Sequence, residues 1–398
     1  MTAAAPTQPV ERPTVAVLPL ANLGGDPEQQ YFSDGITQDI ITELSRFRSL
    51  HVIAAHSAFA PQAAGAQPGQ AAGRLGATYV LQGSIRRAGA RIRVLVDLVD
   101  AATGRNVWSE QFDGDLRDIF AIQDEIVRRI AASLHARLEA EETERASRKP
   151  PHDLEAYDYV LKGFLANQRY TRDDNAAARR MFDKALALAP DYPRAIAGLA
   201  SVHLYGWFLT ERREELDRAF ELARRALQLD PADAWCHYIL GRIHLHLRNF
   251  ALAEHFYARS LELNPNDADV LASRGLMHAY LGKTDAAVSD VEQAMRLNPY
   301  HPDWYYENLG FAYLVGGHHE RAVATFHRVD RPPSWVLAYL AAALAGLGRE
   351  AEARAVVGRV LAQEPGESIE RIVTSDAFLD PADGERLAQA LRRAGLPD

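Results

Sequence analysis

Cysteine is almost absent from this sequence, because Cys236 is the only one among 398 residues. A single cysteine excludes an intramolecular disulfide and a cysteine-rich metal site, and it suits a reducing compartment. Long apolar runs are missing too, so no membrane-spanning helix of about 20 residues is predicted. The first residues lack the basic start and apolar core of a signal peptide. We therefore expect a cytoplasmic protein.

Acidic residues outnumber basic residues in the sequence. The chain has 44 Lys and Arg against 53 Asp and Glu, which gives a net charge of −9. Because phosphate contact needs a basic face, this balance argues against a general nucleic-acid binder. No Ser–His–Asp or Cys–His set stands out, and Gly24-Gly25 lacks the lysine and glycine pattern of a phosphate-binding loop. We predict no catalytic residues, no metal site and no cofactor.

A repeat organises the larger part of the chain. Prolines close similar segments at intervals of 41, 34, 34, 34 and 32 residues, namely at Pro190, Pro231, Pro265, Pro299, Pro333 and Pro365. A period of about 34 indicates stacked helix–turn–helix units. The longer first interval holds about seven extra residues, which we expect in a loop from Tyr205 to Glu211 between paired helices.

The repeated residue types have a mechanical reason. In the clearest copy, the first helix carries Gly241, and the second carries Ala253 and then Tyr257. Small residues at a helix crossing let the backbones approach, and the larger apolar residue fills the space between units. One unit cannot bury its own apolar face, but a stack can. We predict an all-α array of about six helix pairs over residues 152–366 and a C-terminal capping helix region over 367–398.

The region before the array has a different pattern. Residues 13–139 alternate apolar strand-like runs with turns and two helical stretches, which predicts an α+β domain. Residues 1–12 are rich in Ala, Pro and Thr and are interpreted as a flexible lead-in. Residues 140–151 are charged and end in a proline pair, which favours a linker.

These residues also carry family resemblances. The stretches VAVLPLANLGGDPEQQYFSDGITQDIITELSRFRSLHVIA, YVLQGSIRRAGARIRVLVDLVDAATGRNVWSEQFD and DIFAIQDEIVRRI resemble the TolB-like amino-terminal domain, and the later segments resemble tetratricopeptide repeats. This combination occurs in the C-terminal regulatory region of bacterial class III adenylate or guanylate cyclases and in winged-helix regulators. The resemblance implies a regulatory architecture and brings no catalytic residues. The sequence starts at the TolB-like stretch, so we expect no cyclase catalytic domain in it.

The first helices of such repeats line a concave groove. The side chains predicted to face it are Trp235, Tyr238, Arg242, His246, Tyr280, Trp304, Glu307 and Trp335. Three of them are tryptophans at corresponding places in three repeats. Aromatic residues and arginine supply binding energy at protein interfaces. Two interpretations stay open, since each tryptophan could bind a peptide or partner helix or could pack on the preceding repeat.

A basic cluster flanks a predicted hairpin turn in the α+β domain and consists of Arg86, Arg87, Arg91 and Arg93. One interpretation is a site for an anion or an acidic partner. The other, which we favour, is solvated charge that protects the edge of a sheet.

Together these features predict a non-enzymatic scaffold or regulatory protein that binds a protein or peptide in the repeat groove, without nucleic acid and without a membrane span. A cyclase or a transcription regulator acting in trans is a candidate partner. An alternative is the regulatory C-terminal part of a split or truncated adenylate cyclase. A third function, as an envelope-assembly accessory protein, is disfavoured by the missing export signal.

Overall fold

A computed structural model describes residues 12–134, 154–167, 171–210 and 212–398. The predicted linker, the lead-in up to residue 11 and residues 135–139 of the predicted α+β domain lie outside the described residues. The chain up to Leu165 forms one compact unit. The chain from Ala166 onward forms a second, with the exception of Asn264–Asn266.

The first unit is built on a mixed sheet. Its strands are β1 (Thr14–Val17), β2 (Ala21–Asn22), β3 (His51–Val52), β4 (Tyr79–Ala88), β5 (Arg91–Asp100) and β6 (Asn106–Asp115). The order is β3-β1-β4-β5-β6, and β2 also pairs with β4. β1 runs parallel to β3 and β4, whereas β4, β5 and β6 form an antiparallel meander. The predicted hairpin and the predicted α+β class are confirmed.

Helices complete this unit, namely α1 (Gln30–Leu44), α2 (Ala55–Ala58), α3 (Pro68–Leu75) and α4 (Ile119–Ser133). α1 buries Ile36 and Ile40, and α4 buries Ile122 and Ile126, in one core that also contains Val94 of β5. Each helix places its apolar residues three or four positions apart, so one stripe faces the core and stabilises the packing.

The helix α5 (Leu154–Asn167) was predicted to begin the repeats, but the structure places it up to Leu165 in the first unit. Its Tyr157 and Leu161 are buried in the core of that unit. The Tyr157 hydroxyl donates to the Asp39 carboxylate over 2.9 Å. Gly35 leaves the room that Leu161 fills, because a Cβ there would lie 2.7 Å from a Leu161 methyl carbon. Burial of its apolar face, and not its place in the proline spacing, therefore decides where α5 packs.

The second unit is helical. Its helices up to the last pair are α6 (Arg172–Leu188), α7 (Pro193–Thr210), α8 (Arg213–Leu229), α9 (Ala234–His246), α10 (Phe250–Leu263), α11 (Ala268–Tyr280), α12 (Thr284–Leu297), α13 (Trp304–Val315), α14 (His319–Phe326), α15 (Ser334–Gly346) and α16 (Glu350–Gln363). α6 packs on α7, and the helices from α7 to α16 then pack as successive pairs. The predicted helical array is confirmed for this region.

Small residues mark the crossings within the pairs, as predicted. A Cβ on Gly310 of α13 would lie 2.4 Å from Cε1 of Phe326 on α14, and a Cβ on Gly275 of α11 would lie 2.6 Å from Val291. Real Cβ atoms do not approach other carbons so closely. The glycines therefore set how near the two helices come.

The predicted loop from Tyr205 to Glu211 is wrong for the residues that the structure describes. Helix α7 runs on to Thr210 and is 18 residues long, whereas the next first helix, α9, has 13 residues. Glu211 lies outside the described residues. The extra residues include Trp207, whose ring contacts His246, so the added turns are stabilised by packing rather than released as a loop.

Two further helices end the chain, α17 (Ile369–Ser375) and α18 (Pro381–Ala394). α18 packs on α15 and α16, the last pair, which is the position predicted for a cap. Within the described residues, no helix combines the length and the apolar character that crossing a membrane requires.

Candidate functional site

The first helices of the pairs, α7, α9, α11, α13 and α15, share one side of the second unit, which we call the inner face. All eight side chains predicted to line the groove lie on these helices. Consecutive first helices contact one another through aromatic rings, for example Tyr280 with Phe311 at 5.1 Å and Phe311 with Tyr339 at 5.0 Å between centroids. The structure separates the predicted residues into three groups along this face.

The first group lies where α7 meets α9. The Trp207 and Phe208 rings lie 4.7 and 5.0 Å from the His246 ring, and the Arg242 guanidinium lies 4.6 Å from the centroid of Phe208. Burial, with the neighbouring Arg242, lowers the pKa of His246 to about 3, so its ring is neutral at physiological pH. Phe208 keeps 37% of its surface exposed. We call this group the aromatic–arginine cluster.

Tyr238 and Trp235 lie beside this cluster, but their side chains pack into the hydrophobic core. Tyr238 is buried, its hydroxyl lies 3.1 Å from the Ser273 hydroxyl, and Arg242 donates to it over 3.5 Å. Trp235 packs against the core with its ring 5.2 Å from that of Tyr238. The Trp235 indole nitrogen is buried and has no acceptor among the residues described. These contacts favour the packing interpretation for Trp235.

The second group combines Trp304, Glu307 and Trp335. Trp304 is partly buried, and its ring meets Tyr305 edge-on at 4.3 Å. Trp335 is 48% exposed and lies beside the Glu307 carboxyl group. Burial, followed by the nearby Asp303 carboxylate, raises the pKa of Glu307 to about 7. Exposure of so large a ring favours the binding interpretation for Trp335.

The third group forms around Tyr280, and here the inner face is not open. The chain's own residues 376–379, which precede α18, cover the Tyr280 ring. Phe378 meets it edge-on at 5.7 Å, and the Leu379 amide donates to the Tyr280 carbonyl over 3.0 Å. Tyr280 is buried, so the prediction that it is open to a partner in the groove is wrong, because a distant segment of the chain covers its ring.

The basic cluster of the first unit does not converge on one point. Arg87 pairs with Asp158 at 3.2 Å and lies over the Phe32 ring, whereas Arg93 pairs with Asp113 at 2.6 Å. Arg91 and Arg93 lie on β5, which pairs with both β4 and β6, so these two do not protect a free edge. Arg86 and Arg87 lie on β4 beyond Ile85, where its pairing with β2 ends, so the edge-protection interpretation stays a prediction for them. Partnered arginines leave less charge for an anion.

Sequence reasoning missed several residues of the inner face. Trp207 and Phe208 were assigned to a loop, and Asp376 and Phe378 were assigned to a simple cap. Arg248, in the turn after α9, also contacts residues 374–376. A sequence signal existed for Arg248, since the corresponding turns of later repeats carry glycine.

Three family models match parts of the chain. Two models of the tetratricopeptide repeat match residues 212–276 and 268–301. A model described as the second domain of HilA/YgeH-like transcriptional regulators matches residues 11–129. The chain thus contains tetratricopeptide repeats, preceded by a region similar to a domain of transcriptional regulators. The TolB-like assignment of that region stays a prediction.

Curated relatives match parts of the chain as well. "Putative adenylate cyclase 3" of Rhizobium meliloti (strain 1021) is 38% identical over 254 residues, which cover 63% of this chain and 43% of that protein. "Small glutamine-rich tetratricopeptide repeat-containing protein 2" of Mycosarcoma maydis is 28% identical over 88 residues, which cover 22% of this chain and 25% of that protein. The chain spans less than half the length of each of these relatives.

Solved structures resemble the chain only at low scores. A chain of the structure described as the APC/C hetero-tetramer Cut9-Hcn1 gives a TM-score of 0.46 at 19% identity, with 69% of this chain and 52% of that chain covered. TTC0263, a thermophilic tetratricopeptide-repeat protein of Thermus thermophilus, gives 0.37 at 19% identity, with 60% and 99% covered. Neither likeness extends to function.

Proposed function

We propose that this chain is a non-enzymatic scaffold that binds a segment of a protein partner on the inner face of its repeats. Tetratricopeptide repeats support a role in protein–protein interaction. The proposal places the protein in the cytoplasm, which the single buried Cys236 suits. It also places the protein in bacterial signalling, for which the TolB-like resemblance and the similarity to a regulator domain are the support.

One observation carries the proposal. Trp335 and Phe208 are 48% and 37% exposed on the inner face, and each lies beside a polar or charged partner, Glu307 or Arg242. Exposed aromatic rings next to an arginine or an acid are typical of residues that dominate protein interfaces. A large exposed ring on a folded surface loses apolar hydration when a partner covers it.

The experiment is site-specific photocrosslinking in the organism of origin. A photoreactive phenylalanine replaces Trp335 or Phe208 on the inner face. As controls it replaces Leu229 at the end of α8 or Leu188 at the end of α6, neither of which is a first helix of a pair. The controls are 43% and 41% exposed, so they match the inner positions in accessibility. We expect one protein to crosslink at both inner positions and at neither control. The same proteins crosslinking at all four positions would contradict the proposal.

A second candidate function has its own observation. The relative named "Putative adenylate cyclase 3" is 38% identical over 254 residues. This favours a role as the regulatory part of an adenylate cyclase, or as a partner of such an enzyme in trans. The genomic DNA distinguishes the two, since an in-frame catalytic segment upstream supports the regulatory part and its absence supports the scaffold acting in trans.

A further inference from the structure

The turn between α9 and α10 differs from the three turns between paired helices that follow it. The turns between paired helices contain a glycine with positive φ in three pairs: Gly282 (69°), Gly317 (76°) and Gly348 (72°). In the turn between α9 and α10 the corresponding residue is Arg248, with φ 56°. No other non-glycine residue among those described has a positive φ. A side chain in this left-handed region is unfavourable, so a compensating interaction is expected.

The compensating interaction is with the C-terminal part of the chain. Nη2 of Arg248 donates to the carbonyl oxygen of Thr374 over 3.1 Å and to that of Asp376 over 2.8 Å. Glycine would serve the turn better but has no side chain to reach these carbonyls. Arg248 therefore acts as a clamp on the backbone that leads into the segment before α18.

The same segment places a carboxyl group in a buried polar site. Oδ1 of Asp376 accepts hydrogen bonds from the hydroxyls of Tyr280 over 3.1 Å and Tyr339 over 2.7 Å. Asp376 is 2% exposed, and its Oδ2 is buried without a donor among the described residues. The two tyrosines come from α11 and α15, so one carboxyl group joins two first helices that are not neighbours. The two tyrosine hydroxyls therefore donate to an acceptor that a segment outside the repeats supplies.

A site for an aromatic ring lies next to the site of the Asp376 carboxyl group. The Phe378 ring is buried against Tyr280 at 5.7 Å and Phe311 at 5.8 Å between centroids. Asp376 has an extended backbone, with φ −78° and ψ 140°. The residue after Phe378, Leu379, donates its amide to the Tyr280 carbonyl but leaves its own side chain 57% exposed. Alternate side chains in pockets and a main-chain hydrogen bond are how folded domains read an extended peptide.

We infer that Arg248, Tyr280, Phe311 and Tyr339 form a binding site for an extended acidic–aromatic segment of a partner protein, and that residues 374–379 occupy it as an internal competitor. The partner segment carries a carboxylate and, two residues later, a phenyl ring, with a small residue between them. This inference rests on the proposed function, because it names the chemistry of the segment that the inner face binds.

A purely structural cap would not need these features. α18 already packs on the last pair, α15 and α16. A left-handed arginine and a carboxyl group with one unsatisfied buried oxygen both oppose stability, and an apolar segment would cover the same rings without them. Burial raises the pKa of Asp376 to about 7, which shows how poorly the ionised group is compensated. Because two of its contacts carry these costs, a competing segment of a partner can displace residues 374–379.

The experiment measures binding of a fluorescent peptide of residues 373–380 to the full chain by anisotropy. Phe378→Ala removes the ring of the internal segment and leaves Arg248, Tyr280, Phe311 and Tyr339, the residues of the site, unaltered. We expect this variant to bind the peptide at least tenfold more tightly than the unaltered chain, because the internal competitor is weakened. Leu379→Ala is the matched control, since its side chain is exposed, and it should bind like the unaltered chain.

Two altered peptides test the chemistry of the segment. Replacing the aspartate at position 376 by leucine, which cannot accept from the Tyr280 and Tyr339 hydroxyls, or the phenylalanine at position 378 by alanine, should each weaken binding to the Phe378→Ala chain at least tenfold. Equal binding of the altered peptides would overturn the inference. So would a Phe378→Ala chain that binds the peptide no better than the unaltered chain.

Hydrogen exchange provides a second measurement that needs no added peptide. Arg248→Gly should speed exchange of the Leu379 amide at least tenfold and leave the amide of Leu391, inside α18, unchanged. Parallel acceleration at both amides would show a general loosening of the cap and would overturn the inference. A concentration-dependent dimer of the unaltered chain that Phe378→Ala abolishes would assign the site to a second copy and overturn the partner assignment.

The two proposals fail separately. The crosslinking positions Trp335 and Phe208 are not among the residues of the acidic–aromatic site. A partner that crosslinks there while the peptide experiment fails would refute only the inference about residues 374–379. A peptide that binds as expected while no partner crosslinks would refute the inner-face scaffold and leave an intramolecular peptide site.

Discussion

The spacing of the helix pairs depends on glycine at their crossings, and a single methyl group tests this. Gly310→Ala places a Cβ 2.4 Å from Cε1 and 2.7 Å from Cδ1 of Phe326. The matched control is Gly358→Ala on the exposed side of α16, where a Cβ would meet no atom within 4 Å. Both changes replace glycine by alanine inside a helix, so the gain in helix propensity is the same.

The expected magnitudes have opposite signs. Alanine is more favourable than glycine in a helix by about 1 kcal/mol, which Gly358→Ala should show as added stability. Overpacking in a tight core costs about 1–3 kcal/mol. Because the new Cβ would lie only 2.4 Å from a ring carbon, we take the upper part of that range, about 2–3 kcal/mol, which outweighs the gain at Gly310. We expect a net loss of about 1–2 kcal/mol for Gly310→Ala. The difference between the two variants is then roughly 2–3 kcal/mol in the free energy of unfolding.

The assay is urea unfolding followed by circular dichroism at 222 nm, with the midpoint and slope compared for the unaltered chain and both variants. Unchanged slopes justify the comparison of midpoints. A Gly310→Ala chain as stable as Gly358→Ala would refute the reasoning, because it would mean that α13 and α14 do not approach as closely as the contact with Phe326 requires.

Three further predictions concern charge and aromatic packing. Because burial raises the pKa of Asp376 to about 7 from 3.8, the native state binds this proton more tightly than the unfolded chain does, so the contribution of this group to the free energy of unfolding falls by about 1.4 kcal/mol per unit as pH rises from about 4 to 7. Burial also raises the pKa values of Asp267 and Glu307 to about 7, so these groups act in the same direction. Asp376→Asn should therefore remove one of these contributions and make the slope of the unfolding free energy against pH less negative across that range. Trp235→Ala should lower the free energy of unfolding by about 2–3 kcal/mol, and the exposed Trp335→Ala by less than about 1; equal losses in urea titrations would contradict this. Arg87→Ala should cost about 1–2 kcal/mol, against less than about 0.5 for Arg93→Ala, whose ion pair is exposed; the same titrations measure both.

Periodicity explains why most of the second unit could be predicted. The proline interval and the small residue in each first helix depend on contacts inside one repeat, so they are visible in the sequence. Gly275 and Gly310 lie at crossings for this reason. The same logic failed for α5, because Tyr157 and Leu161 find a better apolar surface in the first unit than a repeat position offers.

Long-range contacts explain what could not be predicted. Nothing local in Asp376-Ala-Phe378 indicates that these residues reach tyrosines about 40 and 100 positions earlier in the chain. The turns added to α7 were expected as a loop, since length alone does not show that Trp207 has a ring to pack on. Arg248 was a signal visible in the sequence, because the three later turns between paired helices carry glycine at that position and arginine there opposes the local backbone preference.

The most direct test of a partner-binding inner face is the affinity of the crosslinked partner for the purified full chain, measured by calorimetric titration. We expect Trp335→Ala to weaken binding at least tenfold and Leu229→Ala, of similar exposure on a second helix, to leave it unchanged. Equal affinities of both variants and the unaltered chain would contradict binding on this face.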